Sequence, residues 1–231
     1  MTSSSKNGPA PVAGILLMAG QSSRLGFPKA LLPFGPGSLI EWTLGRVLPS
    51  RLAPLILVLG AHRLRIERAV APFSGHPKLQ VLFNPAFARG MSTSIRKGLE
   101  AVDSTAPGVM FILGDQPLLR TATINRLIQA FTKSGAPIVV PLYGGLPGNP
   151  VVFHRDLLPE LKRQRGDVGG RKLIKKFGAA VQFLPIRPAY QGWDLDTWED
   201  YEKIKDRRNR FPENRPGPVK PAPARKRGIA S

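Results

Sequence analysis

Short, continuous apolar runs alternate along the chain with stretches in which apolar residues recur every three or four positions. The runs Val12–Met18, Leu55–Leu59, Leu79–Phe83, Val109–Leu113, Ile138–Pro141, Val151–Phe153 and Val181–Leu184 predict buried strands. The helical period predicts helices over Leu39–Leu48, His62–Val70, Ser92–Val102, Thr121–Phe131 and Thr197–Asp206. In the third, Ile95, Leu99 and Val102 share a face. In the fourth, Ile124, Leu127, Ile128 and Phe131 do so. Strands that alternate with helices specify an α/β fold: a single three-layer domain over 12–206 with a mostly parallel, Rossmann-like twisted sheet. Ligands of such sheets sit at the carboxyl ends of the strands, near a reversal of strand order. The polar motifs of this chain fall just after apolar runs, where that rule places a site.

Composition narrows the function classes. At 231 residues with a 42% hydrophobic fraction, the chain can bury one sizeable core. It contains no apolar run of the roughly eighteen residues a membrane span requires. The piece Val12–Ala19 is short and leads directly into a Gly/Ser/Arg loop, so it reads as a first strand and not as a secretion signal, and the cytoplasm is the expected compartment. With no cysteine, disulfides, thiolate metal sites and cysteine nucleophiles are excluded.

The formal net charge of +19 raises nucleic acid as a partner, but its distribution changes that picture. Eight basic residues and one acid, Glu213, lie in 207–231 together with five prolines. That segment is expected to be a disordered basic tail, as residues 1–11 are expected to be a disordered N-terminal arm. Nucleic acid would be held only non-specifically, through the tail. The basic surface left on the body suits anionic substrates as well.

Three segments carry candidate chemistry. After the first strand, the loop Gly20–Lys29 combines Gly20 and Gly26, exposed backbone amides able to form an anion nest, and two cations, Arg24 and Lys29, suited to a triphosphate. It lacks both the Walker A and the dinucleotide patterns. Asp115, in Gly114-Asp115-Gln116-Pro117, follows the Val109–Leu113 strand, where a carboxylate can hold Mg²⁺, although the same residues favour a plain turn. Asp194 and Asp196 alternate in Trp193–Tyr201 and share a face if that segment is extended. Asp196 and Thr197 also read as helix caps, which favours Asp194 as the second metal ligand. Less specific are Asn84-Pro85 with Arg89–Ser94, whose helix start could receive a phosphate or a base edge, and the turn-rich loops Leu146–Phe153 and Gly166–Arg171, which could line an acceptor pocket. The histidines His62, His76 and His154 lack ligand spacing and read as surface or structural residues.

Taken in order, these segments resemble the NTP transferases with a molybdenum-cofactor nucleotidyltransferase-like fold (the nucleotide-diphospho-sugar transferase type), and among them the molybdenum cofactor cytidylyltransferases. The family's Leu-Ala-Ala-Gly-x-Ser-x-Arg-Met-Gly-x-x-Lys is matched by Leu17–Lys29, its Gly-Asp-x-Pro by Gly114–Pro117, and its Gly-Asn/His-Pro by Gly148–Pro150. Its Gly-Asp-x-Gly-x-Arg loop is matched by Gly166–Arg171 and its Asp-x-Asp-Thr-Pro-Glu-Asp by Asp194–Asp200. The resemblance spans Val12 to Asp206. Met18 replaces the family's first Ala, and Trp198 its Pro.

The resemblance implies roles. The backbone of Leu17, Met18 and Ala19 would meet the base; Gly20, Ser22, Arg24 and Lys29 would hold the triphosphate; Ser94 would touch the nucleoside. Asp115 would bind Mg²⁺ with Asp194 as second ligand, and Arg24, Lys29 and Asp115 would be catalytic. Ala19 is typical of the cytidylyl branch, so CTP is the nucleotide implied, molybdopterin cofactor the phosphorylated acceptor, and an acceptor molybdoenzyme a partner. A sugar-phosphate or other small acceptor is the alternative within the same chemistry. A non-catalytic cofactor escort and a basic nucleic-acid-binding protein are alternatives outside it.

Overall fold

The computed structural model describes residues 10–22, 24–166 and 170–210. Its elements run, in chain order, β1 (Ala13–Met18), β2 (Pro33–Phe34), β3 (Gly37–Ser38), α1 (Leu39–Val47), β4 (Leu55–Leu59), α2 (Arg63–Val70), β5 (Leu79–Phe83), α3 (Met91–Glu100), β6 (Gly108–Leu113), α4 (Thr121–Ser134), β7 (Ile138–Tyr143), β8 (Leu146–Pro147), β9 (Val151–His154), α5 (Leu158–Arg163), α6 (Arg171–Phe177), β10 (Val181–Ile186) and α7 (Trp198–Arg210). The sheet order is β10-β7-β9-β6-β1-β4-β5, with β8 beside β7. β1 pairs in parallel with both β4 and β6, and β10 in parallel with β7. β9 runs antiparallel between β6 and β7.

The period-two alternation of each strand divides the core between the two faces of the sheet. Leu16, Leu57 and Met110 face one side, where α1, α2 and α4 contribute Ile40, Leu44, Ile66, Leu127 and Phe131. Ile15, Ile56, Val58 and Phe111 face the other, covered by Ile95 and Leu99 of α3, Leu161 of α5 and Leu173 of α6. These are the three layers that the apolar pattern requires. A third cluster, away from the sheet, joins Phe34 and Trp42 to Leu118, Tyr190, Leu195, Tyr201 and Ile204, and so fixes α7 against the β2–β3 hairpin. Among the described residues, no helix is long and apolar enough to cross a membrane.

α7 continues to Arg210, past the helix expected over Thr197–Asp206. Packing sustains it, since the Arg207 guanidinium lies 4.2 Å from the Tyr190 ring centroid and that of Arg208 5.3 Å from the Phe34 ring. The other residues of the expected tail, and 1–9 of the expected arm, lie outside the described residues.

The strand order locates the site. From β1 the chain proceeds outward through β4 to β5, then crosses back to place β6 on the other side of β1. The carboxyl ends of β1 and β6 therefore flank a topological switch point. Gly20–Lys29 leaves one of them and Asp115 the other.

Candidate active site

The loop after β1 is closed by its own residues. Ser22 has φ 54°, a left-handed conformation uncommon outside glycine, and its Oγ accepts the Lys29 N–H at 2.9 Å. Gly26, at φ 63°, completes the turn. Lys29 and Arg24 are thereby aimed across the mouth of the sheet. On the β6 side, Gly114 N–H donates to Leu17 O at 3.0 Å, and the space a Gly114 side chain would fill is taken by the Met18 thioether. The departure from the family's Ala at position 18 is thus absorbed in the core, where Met18 is 8% exposed, next to a residue without a side chain.

Asp115 and the Asp194–Asp196 segment are tied together by the Leu195 N–H, which donates to Asp115 O at 2.9 Å. The Lys29 ammonium bridges Asp115 (3.2 Å) and Asp196 (2.8 Å), and Arg24 meets Asp196 at 3.1 Å. Burial on its own would lower the Lys29 pKa. The Asp115 charge, and then the contacts with Asp196, outweigh it and hold the pKa above the ordinary value. The Lys29 hydrogen bond, working against partial burial, holds the Asp196 carboxyl below the usual carboxylate range, and Arg24 adds to the effect.

Asp196 therefore does not cap α7. That role falls to Thr197, whose Oγ1 accepts the Asp200 N–H at 3.1 Å while the Asp200 carboxylate accepts the N–H groups of Thr197 (2.9 Å) and Asp196 (3.1 Å). Asp200 supplies the carboxylate of the capping box and leaves that of Asp196 free to face the cations.

Asp194 turns toward Gln116, whose Nε2 donates to it at 2.8 Å. Although the residue keeps solvent access, protein atoms crowd its carboxylate. Desolvation first, then the neighbouring Asp115 charge, raise its pKa against the opposing Gln116 hydrogen bond. Burial, followed by the Asp194 charge, pushes up the pKa of the Tyr143 phenol, and the Tyr143 O–H donates to Asn149 O at 2.8 Å. The Gly148–Pro150 turn thus adjoins Asp194 on the side away from β1. Of the Gly166–Arg171 loop, residues 167–169 lie outside the described residues; Gly166 O accepts the Ser92 N–H at 3.1 Å, next to the start of α3.

A cavity of about 420 Å³ opens at this switch point. Arg24, Lys29, Asp115 and Asp196 line one end, and Phe87, Ala88, Met91 and Ser94 the other; Leu17, Met18, Ala19, Gly20 and Ser22 form the wall between them. All the expected nucleotide-binding residues thus share one cavity. Asp194 lies beyond it, lining a shallow depression with Trp193 and Lys203. His62 also lines the cavity, at φ 57° ahead of α2. No sequence spacing marks it; only the fold brings it there.

The residues fit a divalent cation on two counts. Among the described residues, the buried Asp115 Oδ1 has no hydrogen-bond partner. The Asp115 charge lies close enough to Asp194 to disfavour ionisation of the Asp194 carboxyl, a repulsion that a cation relieves. Among the described residues no three His, Cys, Asp or Glu gather as a full cage. An ion with Mg²⁺-like habits, bound by one or two carboxylates plus phosphates and water, needs none.

A Gly-rich loop bearing two cations, facing carboxylates across the switch point of a mostly parallel sheet, defines a nucleotidyltransferase-type site. The family model of the MobA-like NTP transferase domain matches residues 14–181, and the chain belongs to that family. It is 28% identical over 200 residues to the purine catabolism protein PucB of Bacillus subtilis, covering 83% of this chain and 95% of that protein. To the molybdenum cofactor cytidylyltransferase of Escherichia coli it is 28% identical over 193 residues, covering 84% and 95%. The crystal structure of Rv0371c of Mycobacterium tuberculosis in complex with manganese superposes with a TM-score of 0.70 at 28% identity, covering 86% of this chain and all of that one.

Proposed function

We propose that this nucleotidyltransferase transfers CMP from CTP to the terminal phosphate of molybdopterin cofactor and releases pyrophosphate, in the cytoplasm and for delivery to an acceptor molybdoenzyme. The observation that carries the chemistry is the convergence of Arg24, Lys29 and Asp115 at one end of the cavity, with a buried Asp115 oxygen left unpartnered among the described residues. The cytidylyl preference rests on Ala19 and on the similarity to the Escherichia coli cytidylyltransferase. PucB, at the same identity, makes the acceptor a matter for experiment.

Asp115 and Asp194 would hold Mg²⁺. Bound there, the ion supplies charge neutralisation across the phosphates and the developing leaving group. Arg24 and Lys29 hold the triphosphate, each exchanging a carboxylate contact for a phosphate oxygen. The acceptor, seated against Tyr143 and the Gly148–Pro150 turn, presents a phosphate oxygen that is already anionic at neutral pH, so no strong general base is needed. That oxygen attacks the α-phosphorus in line; the new P–O bond forms as the bond to the β-phosphate oxygen breaks, and pyrophosphate leaves. The chain contributes positioning and fixed charge.

The test is pyrophosphate release with Mg²⁺ and each of the four NTPs, with and without molybdopterin cofactor. Release with CTP only when the cofactor is present is the expected result. Cofactor-dependent release with another NTP overturns the base assignment, and silence with all four overturns the acceptor.

A further inference from the structure

At the uncharged end of the cavity, the side chains of Asn84, Thr93 and Ser94 form a set in which, among the described residues, every hydroxyl and amide hydrogen but one has an acceptor. The Ala86 N–H can only donate, and it lies 3.0 Å from Asn84 Oδ1, which sets the orientation of the buried Asn84 amide. Asn84 Nδ2 then points its two hydrogens at two hydroxyls, Thr93 Oγ1 at 2.8 Å and Ser94 Oγ at 2.9 Å. The Thr93 hydroxyl commits its own hydrogen to a backbone carbonyl, that of Gly90 at 2.9 Å or of Ala86 at 3.0 Å. Ser94 receives a hydrogen bond but, among the described residues, has no acceptor for its own O–H. It is 3% exposed, and the opening it faces is the cavity it lines.

We propose that Asn84 is a positioning residue that makes Ser94 a hydrogen-bond donor to the nucleobase, and that the atom Ser94 reads is the O2 carbonyl oxygen of a pyrimidine. The inference rests on the cytidylyl reading for which base is bound. It adds how that base is recognised. With Arg24 and Lys29 holding the triphosphate, the base falls at the end formed by Phe87, Ala88, Met91 and Ser94. Because the Asn84 N–H already occupies an acceptor site on Ser94 Oγ, that hydroxyl meets the ligand hydrogen first. It donates to a carbonyl oxygen and opposes a base edge rich in N–H, as the guanine N1–H and N2–H₂ edge is.

Binding of CTP and of 2-thio-CTP, in which a poorly accepting sulfur replaces O2, measured by calorimetry on the full chain, tests this. The native protein is expected to favour CTP by about tenfold, the effect of leaving one buried donor unsatisfied. In Ser94→Ala the ratio should fall to near one, and Ser94→Cys, a weaker donor of similar size, should lie between. Asn84→Asp, which offers an acceptor to the Ser94 hydrogen and draws it away from the cavity, should also bring the ratio near one with the serine still in place. A role confined to packing would weaken both nucleotides alike and keep the ratio. A native protein that prefers CTP over GTP and ATP, but whose CTP to 2-thio-CTP ratio survives Ser94→Ala, overturns this inference alone. A native preference for a purine nucleotide overturns the cytidylyl reading beneath it.

Discussion

The two ends of the cavity solve recognition by opposite means. At the Lys29 end, two cations and two carboxylates from three distant segments form a network held together by ion pairs, and a third carboxylate, Asp194, lies just beyond it. At the Ser94 end none of Phe87, Ala88, Met91 and Ser94 is charged, and the proposed discrimination rests on which way single hydrogens point. The first arrangement favours strong binding of phosphate and metal with little selectivity; the second is weak but selective. On the proposed reading, the chain would keep affinity for the common part of every NTP separate from discrimination among bases.

Substitutions can break that contrast, the strongest at the charged end. Asp115→Ala should lower kcat by about a thousandfold or more, as expected when the group holding the charge-neutralising ion is lost, while the melting temperature stays within a few degrees of native. Near-normal turnover in this variant would contradict the metal assignment. Lys29→Ala removes a charge-assisted phosphate contact worth about 2 kcal/mol, so calorimetry should show NTP affinity falling about thirtyfold for CTP and its competitors alike. A loss that depended on the base would mean that the two ends are not separable. Gly114→Ala places a methyl group against the Met18 thioether, and denaturant unfolding should show a loss of about 1–3 kcal/mol, part of it restored by Met18→Ala. The smallest effect belongs to Asp200→Ala, which removes the carboxylate of the α7 capping box. About 1 kcal/mol of stability should go, with NTP affinity little changed, because Asp200 touches the Asp196 backbone and not the ion pairs.

The charged end was legible in the sequence because its geometry is local to each motif. A buried apolar run followed by a Gly-rich turn puts cations at a strand end, and Gly-Asp after another such run puts a carboxylate at its neighbour. β1, β4 and β6 were readable for the same reason: buried parallel strands are continuous apolar runs. The antiparallel direction of β9 was not readable, since strand direction is not written in a four-residue run. α5 and α6 were not anticipated either. Each is short, is crowded with Lys and Arg, and contributes a single fully buried leucine, Leu161 and Leu173. Reading Asp196 as a cap failed because Asp200 competes for the same backbone donors, and local sequence does not say which carboxylate prevails. Asn84 was visible only as part of a turn-rich segment. Its link to Ser94 depends on the chain returning from β5 into α3, and the alternation of donors and acceptors that gives it meaning exists only in three dimensions.

In the proposed mechanism, Asp115 and Asp194 hold a divalent ion between the triphosphate and the acceptor. The most direct measurement is an anomalous difference map from crystals grown with Mn²⁺ and a non-hydrolysable CTP analogue. One strong peak is expected, coordinated by Asp115 and Asp194 and by phosphate oxygens, with Lys29 turned from the carboxylates to the phosphates. A peak held elsewhere, or a triphosphate bound with no metal at Asp115, would contradict this mechanism.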